Sequence, residues 1–159
     1  MNLEILNHGK MKSQSRLLLS AFASGLDDFY SPIAIHGKHC VVFLAMDART
    51  MSVDEIGNIA NWALDQGAVY LCAWGPDCER VHDIIDEVVC NRNPDETDED
   101  VIMTTWHEDE TLEEALWFAV NSAFAVGAYE QTCKTLVTVT IGNQDWGSQI
   151  AKTLSESVG

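Results

Sequence analysis

Positive charge is what this sequence has least of. Nine Lys and Arg stand against 25 Asp and Glu, a net charge of −16 over 159 residues. Binding to DNA or RNA depends on cations that neutralise phosphates, so no nucleic-acid partner is expected. An anionic membrane surface is disfavoured for the same reason. The deficit is also uneven: residues 1–49 carry 5 basic and 4 acidic groups, whereas residues 50–159 carry 4 basic and 21 acidic groups. No Lys or Arg occurs between Arg92 and Lys134, a stretch that contains the run Asp95-Glu96-Thr97-Asp98-Glu99-Asp100. Such an excess keeps a chain soluble, and the same field attracts a basic protein.

Long apolar runs are missing too. No stretch approaches 18 apolar residues, so no membrane span is expected. Met11-Lys12-Ser13-Gln14-Ser15-Arg16 followed by Leu17-Leu18-Leu19-Ser20-Ala21-Phe22-Ala23 has the outline of a signal peptide. Its apolar core is at the short limit for one, and a short amphipathic helix is the expectation there. The five cysteines (Cys40, Cys72, Cys78, Cys90, Cys133) are odd in number and contain no CxxC. Neither a zinc ribbon nor a disulfide framework follows, and reduced thiols in a cytoplasmic protein are expected.

Most catalytic signatures are absent. There is no GxGxxG after the first strand, no GxxxxGK[ST] and no GxSxG, so no nucleotide cofactor and no hydrolase elbow are expected. His82-Asp83 spells the metal-phosphohydrolase pair, but on the solvent side of one helix it lacks further ligands. The acidic run lacks the glycine and spacing of an EF-hand. His36, His39 and Cys40 show no fourth ligand, so no metal centre is expected.

What the sequence does contain is a regular alternation. Cys40–Met46 and Ala68–Ala73 are continuous apolar runs, the mark of strands buried on both faces, and Val101–Thr105 and Thr135–Ile141 read as the third and fourth strands. Between them lie helical patterns. Ser52 with Glu55 and Thr111 with Glu114 are capping boxes, and Gly75-Pro76 places Pro at the start of a third helix. The helix opened by Thr111 is expected to run to about Val126 and to bury Trp117, either under residues 1–39 or in a homodimer through the helix at 111–126. The predicted fold is α/β, a doubly wound, mostly parallel four-stranded sheet with helices on both faces. Residues 40–159 form the domain and residues 1–39 an extension packed on it, with one extra edge strand around Pro32–Ile35. Strand order 2-1-3-4 is expected.

In an open parallel sheet, ligands bind beyond the carboxyl ends of the strands, where strand order reverses. Those ends carry Asp47 and Arg49, then Trp74, then Trp106, His107 and Glu108, then Asn143 and Trp146. With order 2-1-3-4, Asp47, Arg49, Trp106, His107 and Glu108 line one crevice, walled by aromatic rings.

Ala73-Trp74-Gly75-Pro76-Asp77-Cys78 resembles the thioredoxin active-site segment, in which a strand ends in Trp and a Gly-Pro pair sets a Cys at a helix start. The resemblance implies thiol chemistry at Cys78, but the first Cys of the pair and the later Pro are missing. The words WGPDC, VHD, TTWHEDE, EALWF and IGN between Trp74 and Asn143 resemble an uncharacterised family of small bacterial Rossmann-like, flavodoxin-like domains. That likeness covers about half the chain and implies a fold class without an activity.

Two functional expectations follow. One is a non-catalytic interaction protein of antitoxin or immunity type, presenting an acidic and aromatic surface to a basic protein partner. The other is a small enzyme or ligand sensor, with His107 as general base, Glu108 or Asp47 orienting it, and Arg49 holding an anion.

Overall fold

Apolar runs too short for helices pair into one sheet. The computed structural model describes residues 3–29 and 31–158. Its strands are β1 (Glu4–Lys10), β2 (Leu17–Ala23), β3 (His39–Ala45), β4 (Ala68–Trp74), β5 (Met103–Trp106) and β6 (Cys133–Ile141). They form a six-stranded sheet in the order β1-β2-β6-β3-β4-β5. All neighbours are parallel except β1, which runs antiparallel to β2 along one edge. The chain is therefore α/β with a mostly parallel sheet, of six strands rather than four.

The helices are α1 (Val53–Asp65), α2 (Cys78–Arg92), α3 (Leu112–Asn121) and α4 (Gln144–Ser157). Alternate residues of β3 enter opposite cores. Cys40, Val42 and Leu44 meet Ile56, Ile59, Val81 and Ile85 of α1 and α2, whereas Val41, Phe43 and Ala45 share a cluster with Leu116, Ala119, Ile150 and Leu154 of α3 and α4. A strand buried on both faces must be apolar on both, and β3 is apolar and buried at every position from Cys40 to Ala45. Ser52 and Thr111 cap α1 and α3 through complete capping boxes.

Four local expectations are corrected. The segment expected as an amphipathic helix is β2, because a short continuous apolar run suits either element until a neighbour supplies the ladder. Here β6 supplies it, with Leu17 opposite Thr135 through to Ala23 opposite Ile141. Pro32–Ile35 is irregular backbone, and the edge strand is β1. A bulge between Asn7 and Gly9 turns that edge, with Gly9 at φ +94°. Pro76 precedes α2 rather than opening it, since Asp77, at φ 69°, is the N-cap. Helix α3 stops at Asn121, five residues early, and residues 1–39 do not cover Trp117, which is 61% exposed in the single chain.

The strand order is the correction with most consequence. The four expected strands are contiguous and parallel, but β3 lies between β6 and β4, and β5 is an edge. In the numbering of the four expected strands, the order is 4-1-2-3. The helices divide accordingly, α1 and α2 covering one face and α3 and α4 the other. The reversal falls between β3 and β6.

Candidate functional site

Because order reverses between β3 and β6, the crevice beyond their carboxyl ends is lined by the loops that follow these two strands. It is a concavity of about 590 Å³, bordered by Asp47, Arg49, Thr50, Asn143 and Trp146. Asp47 and Arg49 form a bidentate pair. Arg49 Nη2 donates to Asp47 Oδ2 at 2.6 Å, and Nε donates to Oδ1 at 2.9 Å. The guanidinium holds the Asp47 carboxyl below its ordinary range. Both groups face solvent, so the pair organises the loop and contributes little to stability.

The floor beneath this pair is rigid. Ala48 N–H donates to Pro76 O at 3.0 Å, tying the loop after β3 to the loop after β4. Arg80 on α2 donates to Asp77 Oδ2 at 2.7 Å, to Ala48 O at 2.5 Å and to Met51 O at 2.8 Å. Gly75, at φ +117°, lies so close to Met46 that a Cβ would strike its carbonyl oxygen.

On the opposite wall, Asn143 caps α4, its Oδ1 accepting from Trp146 N–H at 3.0 Å. The first turn of α4 is thereby held against β4: Trp146 meets Trp74 edge to face, with centroids 4.8 Å apart. Trp74 Nε1–H in turn donates to Glu110 O at 2.8 Å.

His107 and Glu108 do not join this crevice. They follow β5, which β4 separates from β3, and two strand spacings are about 9–10 Å. His107 is 6% exposed, and both of its ring nitrogens are engaged. Nε2 lies 2.9 Å from Thr105 Oγ1, and Nδ1 lies 2.9 Å from Glu110 Oε2. The ring also packs on Phe118, centroids 4.9 Å apart. The carboxylate that orients His107 is thus Glu110, not Glu108 or Asp47. Asp109, at φ 62°, makes the turn that returns Glu110 to the ring. Four charged or titratable side chains in a row, His107 to Glu110, offered no periodicity from which to choose the partner.

Trp106 lies apart again, its ring tilted against that of His82 with centroids 4.4 Å apart. His82 is therefore not on an open solvent face. Its Nδ1 lies 3.2 Å from Asp83 Oδ1 and its Nε2 3.1 Å from Thr104 Oγ1. Among the described residues, no group of three or more His, Cys, Asp or Glu is placed to hold a metal ion. Cys78 is the first residue of α2 but is buried, and desolvation raises its thiol pKa, with Glu108 adding to the shift. Burial and a nearby carboxylate both oppose the thiolate that a redox role at a helix start needs.

A different feature stands on the outer surface of α3. Glu113, Glu114 and Trp117 are exposed at helical spacing, and Phe124 beyond the helix is 52% exposed. Helical spacing sets Trp117 beyond the core stripe of Leu112, Ala115, Leu116 and Ala119, but gives no signal that the ring stands mostly in water beside two carboxylates.

A family model described as a domain of unknown function (DUF7684) matches residues 23–157. No curated protein matches the chain, and no solved structure does. No helix among the described residues is long and apolar enough to cross a membrane.

Proposed function

The chain belongs to the DUF7684 family, which carries no assigned activity, and we propose from its surface that it is a non-catalytic cytoplasmic interaction protein, of antitoxin or immunity type, that binds a basic protein partner through the outer face of α3. The observation that carries this reading is Trp117, 61% exposed on the same helix face as Glu113 and Glu114. Aromatic anchors in a desolvated centre supply most of the energy of a protein interface, and surrounding charge sets partner and on-rate. With a net charge of −16, the partner that approaches fastest is cationic.

The enzyme reading loses its geometry, because the histidine meant as general base is sealed between Thr105, Glu110 and Phe118. Geometry favours a second reading only in reduced form, a ligand sensor at the Asp47, Arg49, Asn143 and Trp146 crevice, supported by its position at the strand-order reversal.

Affinity capture from the native host, followed by binding measured with purified partner, tests the first reading. Trp117→Ala and Glu113→Lys, each folded as judged by circular dichroism, should weaken binding, and wild-type affinity should fall as salt rises. Failure to capture a basic partner, or capture that both substitutions leave unchanged, would reject it. Titration of small-molecule libraries against Asn143→Ala and Arg49→Ala addresses the sensor reading.

A further inference from the structure

Five of the nine cations of this chain gather at one pole. Lys10, Lys12, Arg16, Lys38 and Lys134 all lie near the amino ends of the parallel strands, the pole opposite the crevice of Asp47 and Asn143. That pole holds a concavity of about 500 Å³ bordered by Lys10, Arg16, His36, Phe124, Glu130 and Lys134.

Arg16 is the unusual member. It is 6% exposed, yet among the described residues no carboxylate pairs with it. Its hydrogen bonds go to neutral carbonyls: Nη1 donates to Ala119 O at 3.4 Å and Nη2 to Ala123 O at 3.0 Å. Its guanidinium also lies over the Phe124 ring, 5.4 Å from the centroid. These contacts satisfy the last turn of α3 and suit the negative end of its dipole. They use two of five N–H donors, and they leave a buried positive charge without a counter-charge, which is costly. In a chain with 25 carboxylates, an unneutralised buried guanidinium beside a cavity points to an anion supplied from outside.

The charge count selects the anion. By formal charge, Lys10, Arg16 and Lys134 against Glu130 leave two positive charges on the rim among the described residues. A phosphate monoester carries about −1.5 to −2 near neutral pH and matches that balance, whereas a carboxylate supplies one charge. Guanidinium recognises phosphate oxygens by paired N–H donors, and lysines act on them as point charges. The exposed Phe124 ring offers an apolar platform for the remainder of such a molecule.

We propose that this concavity binds a small molecule through a phosphate group, a role separate from the outer face of α3 and from the crevice at the other pole. The test is nuclear magnetic resonance on the full, uniformly labelled chain, titrated with inorganic phosphate and with pyrophosphate at constant ionic strength. Saturable shifts are expected at the amides of Lys10, Gln14, Arg16, His36 and Lys134. The double variant Lys10→Gln, Lys134→Gln changes only exposed side chains and should weaken binding by roughly tenfold or more, as loss of a charge-assisted contact implies. Acetate at equal ionic strength should leave those amides in place. No saturable shift, an equal response to acetate, or unchanged binding in the folded double variant would each overturn the proposal. In those cases Arg16 serves only to cap α3.

Discussion

Trp74 and Trp146 meet edge to face at 4.8 Å, and through this contact the end of β4 holds the first turn of α4. Trp74 also reaches Glu110, so one indole joins the crevice at β3 and β6 to the turn that carries His107. Trp146→Ala should therefore destabilise the fold by about 2 kcal/mol, less than for a fully buried Trp because the ring is only half-buried. Urea denaturation measures it. A change below measurement error would mean that the ring pair is incidental.

Trp117 presents the opposite case. Trp117→Ala should alter unfolding free energy by no more than about 0.5 kcal/mol, because an exposed side chain has little packing to lose. Trp117→Phe should remove a readily quenched, red-shifted component from the fluorescence, checked with acrylamide. A large stability loss would show the ring to be covered in solution, as a homodimer through α3 would cover it, and light scattering would then report the dimer.

Two glycines separate backbone strain from crowding. Gly142, at φ +76°, has open space where a Cβ would stand, and Gly142→Ala should cost about 1 kcal/mol from conformation alone. Gly75, at φ +117°, faces the Met46 carbonyl, and Gly75→Ala should cost about 2–4 kcal/mol, since strain and steric displacement add. Thermal melts of the two variants should rank in that order.

Stability should fall on mild acidification. Burial lowers the pKa of His8, whose ring nitrogens lie 2.9 Å from Ser155 Oγ and 2.8 Å from Ser20 Oγ. Burial, and secondarily Lys38, lowers that of His39, whose ring packs at a tilt against Tyr129. The unfolded chain then takes up protons at a higher pH than the folded chain, so the stabilisation is complete above about 6.5 and is lost as pH falls through the lowered folded-state values. Both rings retain contact with water, so a shallow slope is expected. Melting temperatures from pH 7.5 down to about 5 should decline in the wild type and flatten in His8→Gln, His39→Gln. A slope unchanged by the double variant would contradict this assignment.

Thiol reactivity should follow burial. Desolvation pushes Cys40 and Cys72 up to about 12 and raises Cys78 and Cys133, while Cys90 is exposed on α2. Limited alkylation at neutral pH, read by mass spectrometry, should modify Cys90 first and Cys40, Cys72 and Cys78 only on unfolding. Early modification of Cys78 would restore a thiol role for the Trp74–Cys78 segment.

The elements that were legible in advance share a property: their information is local. The capping boxes at Ser52 and Thr111 need only the residue three positions on, the runs at 40–46 and 68–73 are apolar on both faces whichever strands flank them, and the run at 135–141 is rich in β-branched residues. From these the alternation of strand and helix, the mostly parallel sheet and the polar rim at its carboxyl ends follow. All eight rim residues, from Asp47 to Trp146, stand at or beyond the ends of the strands expected to present them.

What required the tertiary structure was every choice between neighbours. Whether Leu17–Ala23 coils or extends depends on β6, more than a hundred residues away, offering its ladder. Whether His107 meets Asp47 or Glu110 depends on β4 standing between β3 and β5 and on a left-handed turn at Asp109. The stripe Leu112, Ala115, Leu116 and Ala119 is legible from its helical spacing, with Trp117 beyond it, and α3 turns that stripe inward; that residues 4–10 and 17–23 pair as strands and leave Trp117 in water is decided by the sheet. The sequence by itself determined the class of fold and the balance of charge, since both are sums over local contributions. Strand order, the partner of each polar group and the gathering of the cations around Arg16 were decided by packing, because the energies that choose among registers and orders arise only between segments already brought together.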